Sequence, residues 1–466
     1  MVVGGDAGGM GAASQARRLR PDLEIIALEK GVWTSYSACG IPYLVGGEIK
    51  EFDELVTRSP EEFRDRFDID VRLRHEAMAL DLDRREVEVR DHAGGRTFRL
   101  GFDQLMIGTG ARPVRPALPG IDSDCVMGVQ TLGDAEVLLS VAERSGAQRV
   151  VVVGGGYVGL EIAEAFLHRG AAVTLVEKGS QVMRTLDPDM AALVEKAMRG
   201  VGIDVRLGVA TTGFEDGVVH TDAGDLPADL VVLALGVRPN SELAGDAGIP
   251  LGAGGAIAVD RRQSTATEGV WAAGDCCESY QLVTSRKVYV ALGTVANKQS
   301  RVAGTNIGGG YATFPGVVGT AATKVCDTEV ARTGLNEREA SRDGYRFHAV
   351  TIESTTRAGY LPTAGPITVK VVAERGSGKL LGGQIVGQEG SAKRIDVLAT
   401  ALHAAMSVEE MTHLDLSYAP PFGPVWDPVL IAARKAAEAV AQGQAAEAVA
   451  EGQAAEAVAQ GQAARA

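Results

Sequence analysis

Residues 149–178 read RVVVVGGGYVGLEIAEAFLHRGAAVTLVEK, and this stretch decides the fold. Four valines make an apolar run of strand length, a glycine-rich turn follows, then a helix, and AAVTLVEK forms the next strand. Gly154, Gly156 and Gly159 carry the G-x-G-x-x-G spacing at the opening of the helix, and Glu177 ends the second strand. Each position has a physical task. The glycines allow a tight turn, close approach of a pyrophosphate and close helix packing, and the acid accepts hydrogen bonds from a ribose. A glycine triplet alone is an ordinary turn. With strand, helix and terminal acid around it, the segment reads as a βαβ dinucleotide-binding unit.

A second copy opens the chain: MVVGGDAGGMGAASQARRLRPDLEIIALEK, residues 1–30. Gly4, Gly9 and Glu29 match the same template, whereas Asp6 stands where the middle glycine belongs and brings a carboxylate toward the expected pyrophosphate. Only Val2 and Val3 precede the turn, so a full first strand is expected to need residues ahead of Met1. Two units imply two bound dinucleotides. Further apolar strands end in similar turns at QLMIGTGARP (104–113), LVVLALGVRPN (230–240) and GVWAAGDC (269–276).

A chain of 466 residues is long enough for about three domains. Its net charge of −14 argues against a nucleic-acid partner. Cys39, Cys125, Cys276, Cys277 and Cys326 are odd in number, scattered and without zinc-type pairing, so neither a disulfide framework nor a metal site is expected, and a reducing, cytoplasmic compartment is. No signal peptide opens the chain, and charges interrupt every apolar run before the roughly 20 residues a membrane helix needs. From 326 onward, alternating strands such as ITVKVVAE and LLGGQIVG precede the helical RIDVLATALHAAM, an α+β pattern. The chain closes on three repeats, EAVAQGQAA, EAVAEGQAA and EAVAQGQAA from Glu438, Glu447 and Glu456. With Val their one bulky apolar residue they have little to bury, and they read as a tail without a catalytic role.

Cys39 lies in WTSYSACGIPYLVGG, residues 33–47, just before a Gly-Ile-Pro sequence suited to a helix start. The partial positive charge of a helix start favours a thiolate, so a lowered thiol pKa is expected there. A lone cysteine is otherwise a small buried hydrophobe.

The order of these segments, from Val2 to Arg434, resembles the pyridine nucleotide-disulfide oxidoreductase family (class I). The resemblance implies an α/β fold with two Rossmann-like dinucleotide-binding domains, the second inserted in the first, and a C-terminal α+β dimerisation domain. The expected boundaries are 1–115 and 243–325 for the FAD-binding domain, 116–242 for the NAD(P)-binding domain, 326–435 for the dimerisation domain and 436–466 for the repeat tail. FAD contacts are expected at Gly4, Gly9, Glu29, Lys30, Thr109, Gly110, Gly274 and Asp275, and nicotinamide-cofactor contacts at Gly154, Gly156, Gly159, Glu161 and Glu177. A carboxylate at Glu177 repels a 2′-phosphate and favours NADH over NADPH, with Lys178 acting the other way.

Family members with an internal disulfide carry CxxxxC, but Thr34 and Leu44 occupy the matching positions here. The run Ser35-Tyr36-Ser37-Ala38-Cys39-Gly40 instead resembles the single-cysteine SxxxCG branch of coenzyme A-disulfide reductases, persulfide reductases and water-forming NADH oxidases. That implies reduction by NADH or NADPH, through FAD and Cys39, of coenzyme A disulfide or a related small disulfide or persulfide. One alternative is oxygen reduction to water through a Cys39 sulfenic acid; another is a non-catalytic redox-sensing or binding protein. AGYLP (358–362) and LSYAPPFGPVWDP (416–428) match this branch, which implies a homodimer in which Tyr360 and Tyr418 reach the other subunit's Cys39. Coenzyme A ligands are expected at Gln15, Arg18, Ser35 and Asn297, although the branch's asparagine before the cysteine is Ala38 here.

Overall fold

The computed structural model describes residues 1–463, with side chains described as far as Ala445. Its contacts group into two compact units: 1–182, 202–281 and 285–317 form one, and 183–201, 282–284 and 318–463 the other.

The first unit contains two parallel five-stranded sheets of the same design. In the first, β1 (Val2–Val3) leads through α1 (Ala7–Leu19) to β2 (Ile25–Glu29), followed by β3 (Ile69–Leu73) and β4 (Leu105–Ile107). The strand Val270–Ala272 (β10) completes it, and the order across the sheet is β10-β4-β1-β2-β3. The chain leaves this sheet after β4 and returns 163 residues of numbering later, at Val270.

The second sheet fills that gap. It comprises β5 (Val126–Gly128), β6 (Arg149–Val153), α3 (Tyr157–His168), β7 (Ala172–Glu177), β8 (Asp204–Leu207) and β9 (Leu230–Leu233), in the order β8-β7-β6-β9-β5. Val150, Val151 and Val152 are fully buried because a central parallel strand is covered on both faces, which is why this strand has no polar alternation. The inserted second Rossmann-like domain is therefore present, and the sheets reverse order beside β1 and β6, the strands that open their βαβ units; this is the switch point where α/β sheets bind ligands. A six-residue helix α2 (Ile41–Gly46) follows Cys39 and packs on α3: the Arg169 guanidinium, just beyond α3, donates to the Val45 carbonyl at 3.1 Å. The helix α5 (Gly293–Ile307) packs along α1.

The second unit is built on an antiparallel sheet of β11 (Ala321–Val325), β12 (Thr328–Gly334), β13 (Phe347–Thr355), β14 (Pro366–Glu374) and β15 (Leu380–Gly387), in the order β11-β12-β15-β14-β13. Helices α6 (Ile395–His403) and α7 (Pro428–Ala463) cover it, so the repeats continue α7 up to Ala463; residues 464–466 lie outside the described residues. Val440 is buried, so the first repeat contributes to this core.

One helix joins this unit from far away in sequence. α4 (Pro188–Gly200), which follows β7, sets Met190, Ala191, Val194 and Met198 against the antiparallel sheet. Lys370 on β14 fixes its start: the buried ammonium lies 3.3 Å from Asp187, 2.7 Å from Asp189 and 2.5 Å from Glu337. Burial alone would lower the Lys370 pKa, but these carboxylates more than restore it. The Gln384 side-chain amide donates to Asp187 at 2.6 Å and accepts from its backbone N–H at 2.7 Å. No helix among the described residues is long and apolar enough to cross a membrane.

Candidate active site

The two glycine turns are built alike. Gly4 and Gly154 both take φ of +112°, in the left-handed half of backbone space that glycine tolerates. A Cβ on Gly9 would lie 1.9 Å from the Gly4 carbonyl oxygen, and one on Gly159 would lie 2.0 Å from that of Gly154, so only glycine lets the helix approach the turn. Glu29 accepts from the N–H of Gly5 at 2.8 Å and of Gly31 at 2.7 Å. Glu177 accepts from the N–H of Gly155 at 2.9 Å and of Gly179 at 2.6 Å. Each acid thus ties its own glycine turn to the end of the second strand. Lys30 is exposed beside Glu29.

The copies differ at the head of the helix. Gly156 precedes α3, and an added Cβ there would meet open space, the room a pyrophosphate needs. Asp6 holds that position before α1, with its carboxylate accepting from the Tyr36 N–H at 3.3 Å. Burial pushes the Asp6 carboxyl up to about 6, and Glu29 and Asp275 push the same way against the N–H groups of Tyr36 and Ala7. Asp275, just beyond β10, is also pushed up to about 6 by burial.

Several residues outside the fingerprint pack beside the first glycine turn. Thr109 donates its hydroxyl to the Asn240 carbonyl at 2.5 Å and accepts the Asn240 amide at its own carbonyl at 2.9 Å, while Gly110 turns at φ +67°. A Cβ on Gly108 would come within 2.6 Å of the Gly9 nitrogen, so this glycine is as constrained as the fingerprint ones; its position at a strand end in IGTG was the available signal. Gly274 turns at φ +86°, and its N–H donates at 2.9 Å to Gln299, a fully buried glutamine that also donates to the Glu278 carbonyl and the Ser279 hydroxyl. No sequence signal distinguished Gln299, because one polar residue on a helix is ordinary.

Cys39 is a free, exposed thiol within the short 3-10 turn Ala38–Gly40. Although its surface reaches solvent, protein crowds it on one side. This partial desolvation raises its pKa, and Glu161, Asp275 and Asp6 raise it further. The expected lowering is therefore not found from the protein's own groups. Cys39 lies inside a turn ahead of a helix of only six residues, where its own N–H favours the thiolate but is outweighed by burial and by neighbouring carboxylates. Asp6 and Asp275 come from the first dinucleotide unit, whereas Glu161 comes from α3 of the second. Cys276 and Cys277 are buried free thiols, with pKa raised by burial.

Gln15 and Arg18 lie on α1 and Asn297 on α5, two helices in contact. The Gln15 amide donates to the Thr305 hydroxyl at 3.1 Å, Arg18 and Asn297 are exposed, and Ser35 turns at φ +50° on the way to Cys39. Arg17, next to Arg18, is spent on structure: its guanidinium donates to the carbonyls of Phe67, Pro21 and Asp68.

In the second unit, Tyr360 and Tyr418 are exposed, and desolvation, helped by the nearby Tyr418, raises the Tyr360 pKa. The two segments that carry them meet because the Ala358 N–H donates to the Pro420 carbonyl at 3.1 Å and the Arg357 guanidinium to that of Pro421 at 3.0 Å. Phe422 at 78% exposure and Trp426 at 53% extend the aromatic surface.

Two dinucleotide-binding units with one exposed thiol among carboxylates from both define a two-dinucleotide oxidoreductase. The chain belongs to the pyridine nucleotide-disulphide oxidoreductase family, whose main profile matches residues 1–299 and whose dimerisation domain matches residues 320–428. It is 38% identical over 439 residues to an NAD(P)H coenzyme A polysulfide/persulfide reductase of Pyrococcus horikoshii, covering 93% of this chain and 97% of that one. It is 35% identical to an NADH oxidase of Methanocaldococcus jannaschii, covering 95% of this chain and 99% of the relative. Among solved structures, an NAD-dependent persulfide reductase from A. fulgidus superposes with a TM-score of 0.91 at 40% identity, covering 93% of this chain and 82% of that one. The chain is an FAD-dependent NAD(P)H oxidoreductase that acts on a sulfur-containing acceptor.

Proposed function

We propose that the chain reduces coenzyme A disulfide, or a closely related small disulfide or persulfide, through Cys39. One observation carries this reading: the exposed thiol feels carboxylates of both dinucleotide units, so it lies where electrons from two cofactors would converge. The residues fit the cofactors, since the glycine turns leave no room for a Cβ and Glu29 and Glu177 face each turn with a ribose-binding carboxylate. Bound FAD supplies a two-electron carrier between nicotinamide and sulfur.

The Cys39 thiolate attacks the disulfide RSSR, forming a Cys39–S–S–R bond and releasing one thiolate, which takes a proton. Two electrons from NAD(P)H then break that bond, restoring the Cys39 thiolate and releasing the second thiol. The balance is NAD(P)H + H⁺ + RSSR giving NAD(P)⁺ and two RSH. Gln15, Arg18, Ser35 and Asn297 hold the coenzyme A moiety in this reading. In a homodimer, Tyr360 and Tyr418 would approach the other subunit's Cys39, where a phenol protonates the leaving thiolate. Glu177 gives NADH the advantage over NADPH. The protein works in the cytoplasm, where Cys39 stays reduced.

Anaerobic titration of the purified yellow protein with NADH and then coenzyme A disulfide tests this. Bleaching by NADH, followed by recovery of the flavin spectrum with two thiols per disulfide, is expected. Recovery by oxygen alone would replace the reading with a water-forming oxidase cycling through a Cys39 sulfenic acid. A colourless protein that FAD does not reconstitute would favour a redox sensor. Cys39→Ser is expected to abolish disulfide reduction while FAD stays bound.

A further inference from the structure

We propose that Asp6 is a proton-accepting residue of the FAD site, so that binding of the FAD pyrophosphate is coupled to uptake of one proton by the Asp6 carboxylate. The inference rests on the assignment of the first glycine turn to FAD. Asp6 occupies the helix-head position that Gly156 leaves open in the second unit, which places a carboxyl where a pyrophosphate approaches the backbone.

The groups around it are Glu29 from the end of β2, Asp275 from the turn after β10 and the N–H groups of Tyr36 and Ala7, and the Cys39 thiol and Tyr36 phenol feel its charge in turn. Two of these are carboxylic acids and none is a cation. The Ala7 N–H, the one group at the start of α1 that favours the Asp6 carboxylate, is also a donor an incoming phosphate needs. A pyrophosphate adds about two negative charges to a cleft that already holds three carboxyls, and neutralising one carboxyl is the least costly response. Once protonated, Asp6 gains an O–H donor that can face a phosphate oxygen.

The sign follows from linkage. In the free protein the Asp6 carboxyl titrates at about 6, and bound pyrophosphate raises that value. Below the free value Asp6 is already protonated and FAD affinity is flat. Above it, affinity falls by up to about tenfold per pH unit until the bound-state value is reached.

The test dilutes the holoenzyme to nanomolar concentration between pH 5.5 and 8.5 and follows FAD release by the rise of flavin fluorescence. Dissociation constants that climb with pH in the wild type and climb less steeply in Asp6→Asn, where Asp275 still titrates, with Asp6→Asn binding on the order of tenfold tighter than wild type at pH 8, are expected. Equal pH slopes in the two proteins overturn the proposal, as does a flat wild-type profile, which needs no variant. Should Asp6→Asn not fold, Asp6→Gly restores the fingerprint glycine and carries the same expectation of a shallower profile. A protein that binds no FAD at any pH would instead sink the FAD assignment.

Discussion

Gly9→Ala and Gly159→Ala separate the two cofactor sites by one methyl group each. Each Cβ would strike a carbonyl oxygen of the neighbouring turn, and backbone cannot swing aside as a flexible side chain can. Gly9→Ala should purify with FAD occupancy at least about tenfold lower, and Gly159→Ala should stay yellow with a KM for NADH at least about tenfold higher. Flavin absorbance per chain and steady-state kinetics report the two results. These glycines were legible because each stands between an apolar strand and a helix, with an acid at the end of the next strand. The Cys39 pKa was not, because it depends on Glu161 and Asp275, which the fold brings from distant positions. With the thiol raised, iodoacetamide should label Cys39 slowly at neutral pH and faster as pH rises past the ordinary thiol value. Glu161→Gln, by removing one repelling charge, should shift that profile to lower pH. Arg17 shows the opposite limit: helical periodicity cannot distinguish a solvated arginine from one that ties three carbonyls together.

At the scale of elements, both parallel sheets were readable from the valine runs and their terminal turns, and the antiparallel sheet from its alternating strands. The home of α4 was not readable. Sequence neighbours place it between β7 and β8, yet its apolar face and the Lys370 cluster belong with β14 and β15. Nothing in the ITVKVVAE strand marks Lys370 as more than an ordinary alternating residue, and its partners lie far away in the sequence. Lys370→Met should leave the buried Asp187 carboxylate without its cation. The expected loss is on the order of 3 kcal/mol, toward the low end for a broken buried pair because Asp189 and Glu337 keep contact with water. Thermal unfolding should report a lower transition with FAD still bound below it. An unchanged transition would mean that the cluster is neutral to stability.

For the whole molecule, the exposed aromatics Tyr360, Tyr418, Phe422 and Trp426 all fall within the residues that match the family's dimerisation domain. Phe422→Glu places a charge in that surface. It should weaken self-association at least about tenfold and lower disulfide reduction in step, while the flavin spectrum of the dissociated chain stays intact. Sedimentation velocity and turnover at matched concentrations measure both, and full activity in a demonstrably monomeric variant would exclude a partner's tyrosines from the chemistry. The position of α4 also limits how the chain can be cut. A fragment excised along the sequence limits of the nicotinamide-binding domain would carry Met190, Ala191, Val194 and Met198 away from the sheet that buries them. Such a fragment should aggregate rather than fold, so the inserted domain is not a transferable cassette, and grafts between relatives would have to exchange α4 together with the C-terminal sheet.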